Sequence, residues 1–234
     1  MITLVVSPSD LRGVEVRVEG PAYRHLFRAR RLAANAVVRL VDGEGTARFG
    51  RAQEVTASEA WLSLGEDAPT NEPAMYLELL APVPKGSRLS WMVEKATEIG
   101  ASAIRLMHAE RAPRRISAST LARLKRVAVA AVEQSHRSVV PVVSGAHDFS
   151  GLPVLLESLQ ERWFLQPGAT EPSESSVETR AALLVGPEGG WTAGELEQLG
   201  EWGCQALGLG PTIMRIETAA AVGCARLLIK DLFQ

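Results

Sequence analysis

Residues 183–199, LLVGPEGGWTAGELEQL, run an apolar segment into Gly-Pro-Glu-Gly-Gly and then into a helical pattern. Gly186, Gly189 and Gly190 carry no side chain, so their amides and carbonyls are open to a ligand. The same spacing also suits a tight strand-to-helix turn that binds nothing. If a ligand is held, Glu188 repels phosphate and no Gly-Lys-Ser/Thr follows, so a neutral or cationic molecule suits the turn better than a nucleotide phosphate. Thr192 and Glu195 have the spacing of a capping box, which predicts a helix beginning near Thr192.

A second stretch, LGLGPTIMRIETAAAVGCARLLI (207–229), repeats the theme: strand, glycine and proline, irregular loop, small-residue helix from about Glu217. Arg215 stands between Met214 and Ile216, and a guanidinium in an apolar loop requires a partner or an anion. Glu217 and Thr218 complement the positive end of the helix dipole. Ala219, Ala220, Ala221 and Gly223 permit close packing, against core or ligand alike. In KGSRLSWMVEKATEIGASAIRL (85–106), Leu89, Met92, Val93, Ala96 and Ile99 recur at helical spacing, which leaves Lys85, Arg88 and Lys95 to solvent. Glu133, Gln134 and Arg137 close a further helix in AVAAVEQSHRSVVP, where a capping or surface network with an exposed His136 is expected.

The elements that must position these groups fall into two parts. Residues 1 to about 70 read as short strands between turns (ITLVV, VEVRV, AVVRLVDGEG, ARFGRAQEV, AWLSL), with one short helix near Tyr23 to Arg31, and suggest a small β-barrel or sandwich. GEDAPTNEPA (65–74) is the candidate linker. Beyond it, the apolar runs YLELLAPV, AIRLM, SVVPVV, WFLQ, AALLVG and QALGLG alternate with helical segments near 87–99, 118–135, 193–201 and 217–231. That alternation predicts a mainly parallel sheet covered by helices. PGATEPSESSVET (167–179) reads as an exposed loop.

Composition narrows the function classes. With 46% hydrophobic and 22% charged residues, the 234-residue chain can bury a real core. A net charge of -2 and pI near 6.1 mean that binding to a polyanion must come from a local basic patch. Cys204 and Cys224 fit neither a disulfide framework nor a zinc site, and no metal ligand set is expected. No segment has membrane-span or signal-peptide character, which points to a cytoplasmic protein and no membrane partner.

In order along the chain, KGSRLSWMVEKATEIGA, HAERA, AVEQSHRSVVP, LLVGPEGGWTAGELE and LGLGPTIMRIETAAA resemble the RsmE-type ribosomal RNA methyltransferases of the SPOUT, or α/β-knot, class. HLFRARRLAANAVVRLVDGEG looks like that family's PUA-like RNA-binding module. The resemblance implies an α/β fold in two domains: a PUA-like β-barrel over 1–70 and a SPOUT trefoil-knot methyltransferase domain over 75–234, in a homodimer. It implies S-adenosylmethionine as cofactor and N3 of a uridine in 16S ribosomal RNA, within the small ribosomal subunit, as target. Carried over by motif, cofactor contacts fall on Leu165, Gln166, Pro167, Gly186, Pro187, Glu188, Gly189, Leu209, Gly210, Ile213, Met214 and Arg215.

Methylation at N3 needs a positioned base and stabilisation of developing negative charge, which makes Arg215 the candidate donor to the uracil oxygens. Glu217 is a candidate proton acceptor, with helix capping the favoured reading. For RNA, Arg24, Arg28, Arg30 and Arg31, interleaved with Tyr23, His25 and Phe27, form a local basic patch. Arg111, with Arg114 and Arg115, forms a second, and Arg137 joins the RNA-binding candidates. The chain departs from the family at Thr212 (commonly arginine), Ile216 (threonine) and His136 (glycine), and LAANAVVRL lacks the usual Gly-Asp. Rival readings are a knotted RNA methyltransferase with another target base or sugar, and a non-catalytic RNA-binding or ribosome-assembly factor. A nucleotide-binding enzyme is disfavoured, since no Walker or G-x-G-x-x-G motif follows the first strand of the α/β part.

Overall fold

The computed structural model describes residues 1–112, 114–169 and 180–229, and divides into two compact units. The first comprises Met1–Glu72 together with Val132–Val140, and the second Pro73–Ala131 and Pro141–Gln234. The expected loop over 167–179 falls mostly outside the described residues, as do the last residues of the helix expected to reach 231.

The first unit carries five strands, β1 (Ile2–Val5), β2 (Glu15–Glu19), β3 (Val37–Val41), β4 (Ala47–Val55) and β5 (Glu59–Asp67), in one barrel-like sheet of order β1-β3-β4-β5-β2. Strand β2 alternates exposed and buried residues with period two, so Val16 and Val18 join Leu4, Leu26, Val38, Leu40, Ala52 and Leu62 in a single apolar cluster. Two short helices, α1 (Pro8–Leu11) and α2 (Gly20–Tyr23), lie in this unit, and α2 runs on into a π-helical turn over Arg24–Ala29. Tyr23 and Phe27 are buried there and stack with ring centroids 5.5 Å apart, while the Tyr23 hydroxyl donates to the Thr56 carbonyl at 2.6 Å.

The boundary between the two units, Glu72 to Pro73, falls inside GEDAPTNEPA, the expected linker, and the residues before it are anchored in the first unit. Glu72 accepts hydrogen bonds from the amides of Ser138 and Val139 at 2.6 and 3.0 Å and from Arg137 at 2.6 and 3.0 Å. Arg39, also buried, donates to the carbonyls of Pro69 and Arg137 and to the Ser138 hydroxyl. Residues 132–140 are thus tied into the first unit, and the Val140 amide completes the attachment by donating to the Gly43 carbonyl at 2.8 Å.

The second unit is built on six parallel strands: β6 (Tyr76–Pro82), β7 (Ala103–His108), β8 (Val142–Asp148), β9 (Glu161–Leu165), β10 (Arg180–Leu184) and β11 (Gln205–Leu207). Their order is β11-β9-β10-β6-β7-β8. The nearly continuous apolar runs of β6 and β10 follow from burial on both faces. Its helices are α3 (Arg88–Ile99), α4 (Ala118–Ser135, whose last turn belongs to the first unit), α5 (Leu152–Leu156), α6 (Ala193–Glu201) and α7 (Ile216–Leu228). The run SVVPVV does not all become strand: Ser138–Val140 belong to the first unit and β8 begins at Val142. Among the described residues no helix is long and apolar enough to cross a membrane, and no group of three or more His, Cys, Asp or Glu is placed to hold a metal ion.

Candidate active site

The strand order reverses at β6–β10: β7 and β8 extend the sheet one way and β9 and β11 the other. In an open α/β sheet, crevices form beyond the carboxyl ends of the strands beside such a reversal. The segments leaving β9, β10 and β11 meet there around a cavity of about 580 Å³. All twelve residues that the resemblance marks for cofactor contact, Leu165 through Arg215, line it. Val185, Trp191, Leu207, Ile216 and Ala219 add apolar wall.

Each loop is fixed by local chemistry. Thr192 and Glu195 form the expected capping box, and the second oxygen of the buried Glu195 carboxylate accepts from the Glu110 amide at 2.9 Å. The start of α6 is therefore tied to the HAERA segment. Gly190 adopts φ +72°, a left-handed conformation that lets its amide close a turn onto the Pro187 carbonyl at 2.8 Å. Arg111 lies over this turn and donates to the Gly189 carbonyl at 2.6 Å. At the base, the Trp191 indole N–H donates to the Leu165 carbonyl at 3.1 Å, and the Gln166 amide to the Leu207 carbonyl at 3.1 Å. A Cβ on Gly208 would stand 2.2 Å from the Ala169 carbonyl oxygen, so only glycine lets these two loops approach.

Arg215 occupies the N-cap position of α7, with extended backbone, and its side chain forms no cap hydrogen bond. The loop around it is open: Ile213 is 85% exposed and Arg215 itself is exposed. Water can solvate the guanidinium, so the partner or anion expected for an apolar loop is not required.

Glu217 lies in the first turn of α7, where the dipole argument puts it, but it is only 7% exposed and its Oε2 has no hydrogen-bond partner among the described residues. Its Oε1 lies 3.5 Å from Arg88 Nε, and Arg88 Nη1 lies 3.6 Å from Glu188 Oε1. Arg88, expected in solvent, thus bridges a rim carboxylate and a buried one. Periodicity could not reveal this, because the bridge joins residues about a hundred positions apart.

Of the RNA-binding candidates, Arg24, Arg28, Arg30, Arg31 and Arg111 are exposed. Arg137 is not: it is 3% exposed and paired with Glu72. A guanidinium so enclosed cannot reach a phosphate, so Arg137, expected to bind RNA, holds Glu72 within the fold instead. Tyr23 and Phe27 are likewise core residues, unable to stack on bases, although Arg28 lies over the Tyr23 ring at 5.8 Å.

A family model described as an RNA methyltransferase domain matches residues 71–228. Ribosomal RNA small subunit methyltransferase E of Mycobacterium bovis is 31% identical over 243 residues, covering 95% of this chain and 88% of its own. Its namesake from Synechocystis is 29% identical over 232 residues, covering 96% and 76%. Among solved structures, the Neisseria gonorrhoeae ribosomal RNA small subunit methyltransferase E bound to S-adenosylmethionine is 27% identical, covers 98% of both chains and superposes with a TM-score of 0.85.

Proposed function

The chain belongs to the RNA methyltransferase family that includes ribosomal RNA small subunit methyltransferase E, and from that premise we propose that it methylates N3 of a uridine in small-subunit ribosomal RNA, using S-adenosylmethionine. The observation that carries this reading is the convergence of three loops, 165–167, 186–189 and 209–215, on one cavity. A volume of about 580 Å³ lies within the range of small-ligand sites. Its chemistry also fits: glycine-rich backbone for the polar ends, apolar walls for the adenine, and, among the described lining residues, Arg215 as the single basic group.

Bound there, S-adenosylmethionine would supply an electrophilic methyl carbon on a sulfonium. Leu165, Val185, Leu207 and Trp191 exclude water from the floor, which strengthens interactions with backbone carbonyls. Glu188 faces the cavity while Arg88 offsets part of its charge, so those carbonyl dipoles share the electrostatic role expected of Glu188. Arg215, exposed and lining the mouth, directs donors toward the uracil oxygens, where negative charge grows as N3 loses its proton. The domain assignments belong to the same proposal: an RNA-binding first unit, a knotted second one, and a cytoplasmic homodimer.

The deciding experiment incubates the purified protein with labelled S-adenosylmethionine and unmodified small ribosomal subunits, then locates the methyl group by mass spectrometry of the RNA. N3-methyluridine is expected. A methyl group on another base or a ribose would move the chain to a different target, and cofactor binding without transfer would leave an RNA-binding factor.

A further inference from the structure

Residues 111–132, running from the HAERA segment through α4, carry six basic side chains and neither an acidic nor an aromatic one. Arg111 belongs to the cofactor turn, where it donates to the Gly189 carbonyl, and Arg123 turns to α3, where it donates to the Ser90 hydroxyl. Arg114, Arg115, Lys125 and Arg126 remain. All four are exposed, and none forms a hydrogen bond or ion pair through its side chain among the described residues. Asp148 and Glu188 approach them, and both are engaged elsewhere: Asp148, near Arg115, is bonded to His108 at 3.0 Å, and Glu188, which shares a small recess with Arg114, is bridged by Arg88.

Exposed helices gain from opposite charges three or four residues apart, as Lys95 and Glu98 show on α3. Helix α4 does the reverse. Arg123 and Arg126 stand three apart, a spacing at which like charges weaken a helix, and the positions four away from Lys125 and Arg126 hold only leucine, valine and alanine. Nothing within the fold gains from this arrangement; an anionic partner does. The tract begins at the β8 edge of the sheet, where Ile116 packs over Gly145 so closely that an added Cβ there would stand 2.9 Å from its Cδ1. The packing of α3 on α7, and of α7 on β6, lies two strands further in. Lys125, two residues beyond Arg123, falls on the side of α4 turned away from α3.

We propose that Arg114, Arg115, Lys125 and Arg126 form a docking surface for the phosphate backbone of a base-paired RNA segment flanking the target nucleotide. With no aromatic side chain in the tract, an unpaired base finds nothing to stack on. Cations alone suit a duplex, which presents phosphates more densely than a single strand and is recognised by shape and backbone. Through Arg111 the tract is continuous with the turn at Gly189, so a stem held along it ends beside the cofactor cavity. Such contacts position the RNA without reading its sequence. The assignment rests on the methyltransferase reading and adds which form of RNA the catalytic unit holds.

The test combines Arg115→Gln, Lys125→Gln and Arg126→Gln in one protein, since glutamine removes the charge and keeps helix propensity. Binding is measured over a salt series to two RNAs that share one single-stranded uridine-containing sequence, one with a flanking stem and one without. For the stem-bearing RNA, the slope of log affinity against log salt should flatten by about two to three, slightly under one for each lost cation. Affinity for the strand alone should change far less. Calorimetric affinity for S-adenosylmethionine and the sedimentation coefficient should hold, and in methyl transfer to unmodified small ribosomal subunits KM should rise while kcat stays. An unchanged slope with the stem-bearing RNA, equal losses on both RNAs, or a lower kcat at unchanged KM overturns the proposal. A change in sedimentation overturns it in favour of a contact between copies of the chain. If the wild type neither binds S-adenosylmethionine nor methylates RNA, the reading of the cavity fails; an active wild type matched by the triple variant removes the docking surface alone.

Discussion

Arg215 caps no helix with its side chain and makes no ion pair among the described residues, while its position lines the mouth of the cavity. Removing it therefore costs the fold little, because exposed side chains without partners contribute within about 0.5 kcal/mol. Arg215→Ala should lower turnover by about 10²–10³, as loss of a charge-stabilising donor does, with an unchanged denaturation midpoint. Retained methyl incorporation would remove Arg215 from the chemistry. The cysteines make the opposite case: burial pushes the Cys204 thiol up to about 11 and Cys224 up to about 12. Both stay protonated at neutral pH, so an alkylating reagent should leave the native protein unmodified and label two thiols only after unfolding. At this scale the sequence was informative where a residue acts through its own backbone neighbourhood, as Thr192 and Glu195 do within one helical turn. It was silent where the partner is distant: nothing near Arg88 announces Glu217, and nothing near Arg137 announces Glu72.

Four of the five helices of the second unit were legible because each carries its own period, and α4 begins and ends where apolar spacing put it; α5, only five residues long, is too short to show a period. The segment leaving α4 was harder to read, since SVVPVV has the composition of one strand while its first residues hydrogen-bond to Glu72 and Gly43. The turn between them passes through His136 at φ +58°, a left-handed conformation in which glycine is at ease. That accounts for the departure from the family's glycine: the histidine ring recovers part of the strain through a 2.8 Å hydrogen bond between its Nδ1 and the Thr3 hydroxyl. Relief of about 1–2 kcal/mol on His136→Gly is offset by about 0.5–1 kcal/mol of backbone entropy and about 1 kcal/mol for the lost bond. Chemical denaturation should place His136→Gly within about 1 kcal/mol of wild type and His136→Val more than about 2 kcal/mol below it, because a β-branched residue gains no hydrogen bond and tolerates positive φ least. Equal stabilities would refute the strain argument. A sharper constraint holds at Gly208, where a methyl group would meet the backbone of Ala169 rather than a movable side chain. Gly208→Ala should push the loops after β9 and β11 apart and weaken S-adenosylmethionine binding by at least about tenfold, as overpacking against fixed backbone costs about 1–3 kcal/mol.

For the molecule as a whole, a formal charge of -2 gives no general attraction to RNA, so affinity must come from where the 25 basic residues sit. Many are neutralised in place: Arg17 by Glu19 and Glu59, Arg105 by Glu78, Arg137 by Glu72, and Lys95 by Glu94 and Glu98. The exposed Arg24, Arg28, Arg30 and Arg31 of the first unit form no ion pair among the described residues, and Arg28 donates only to the neutral Ala57 carbonyl. Paired arginines release few counterions when RNA binds, whereas unpaired ones release nearly one each, about 0.7–0.9 in the slope of log affinity against log salt. Affinity for small-subunit RNA should therefore fall steeply with salt, and Arg28→Glu and Arg31→Glu should each flatten that slope by about one. Arg17→Gln should leave it unaltered, because its charge is already balanced by two carboxylates within the fold. The comparison separates local charge from net charge, since every one of these substitutions makes the protein more acidic. If all three variants change the slope alike, net charge governs binding and the first unit holds no RNA-binding patch.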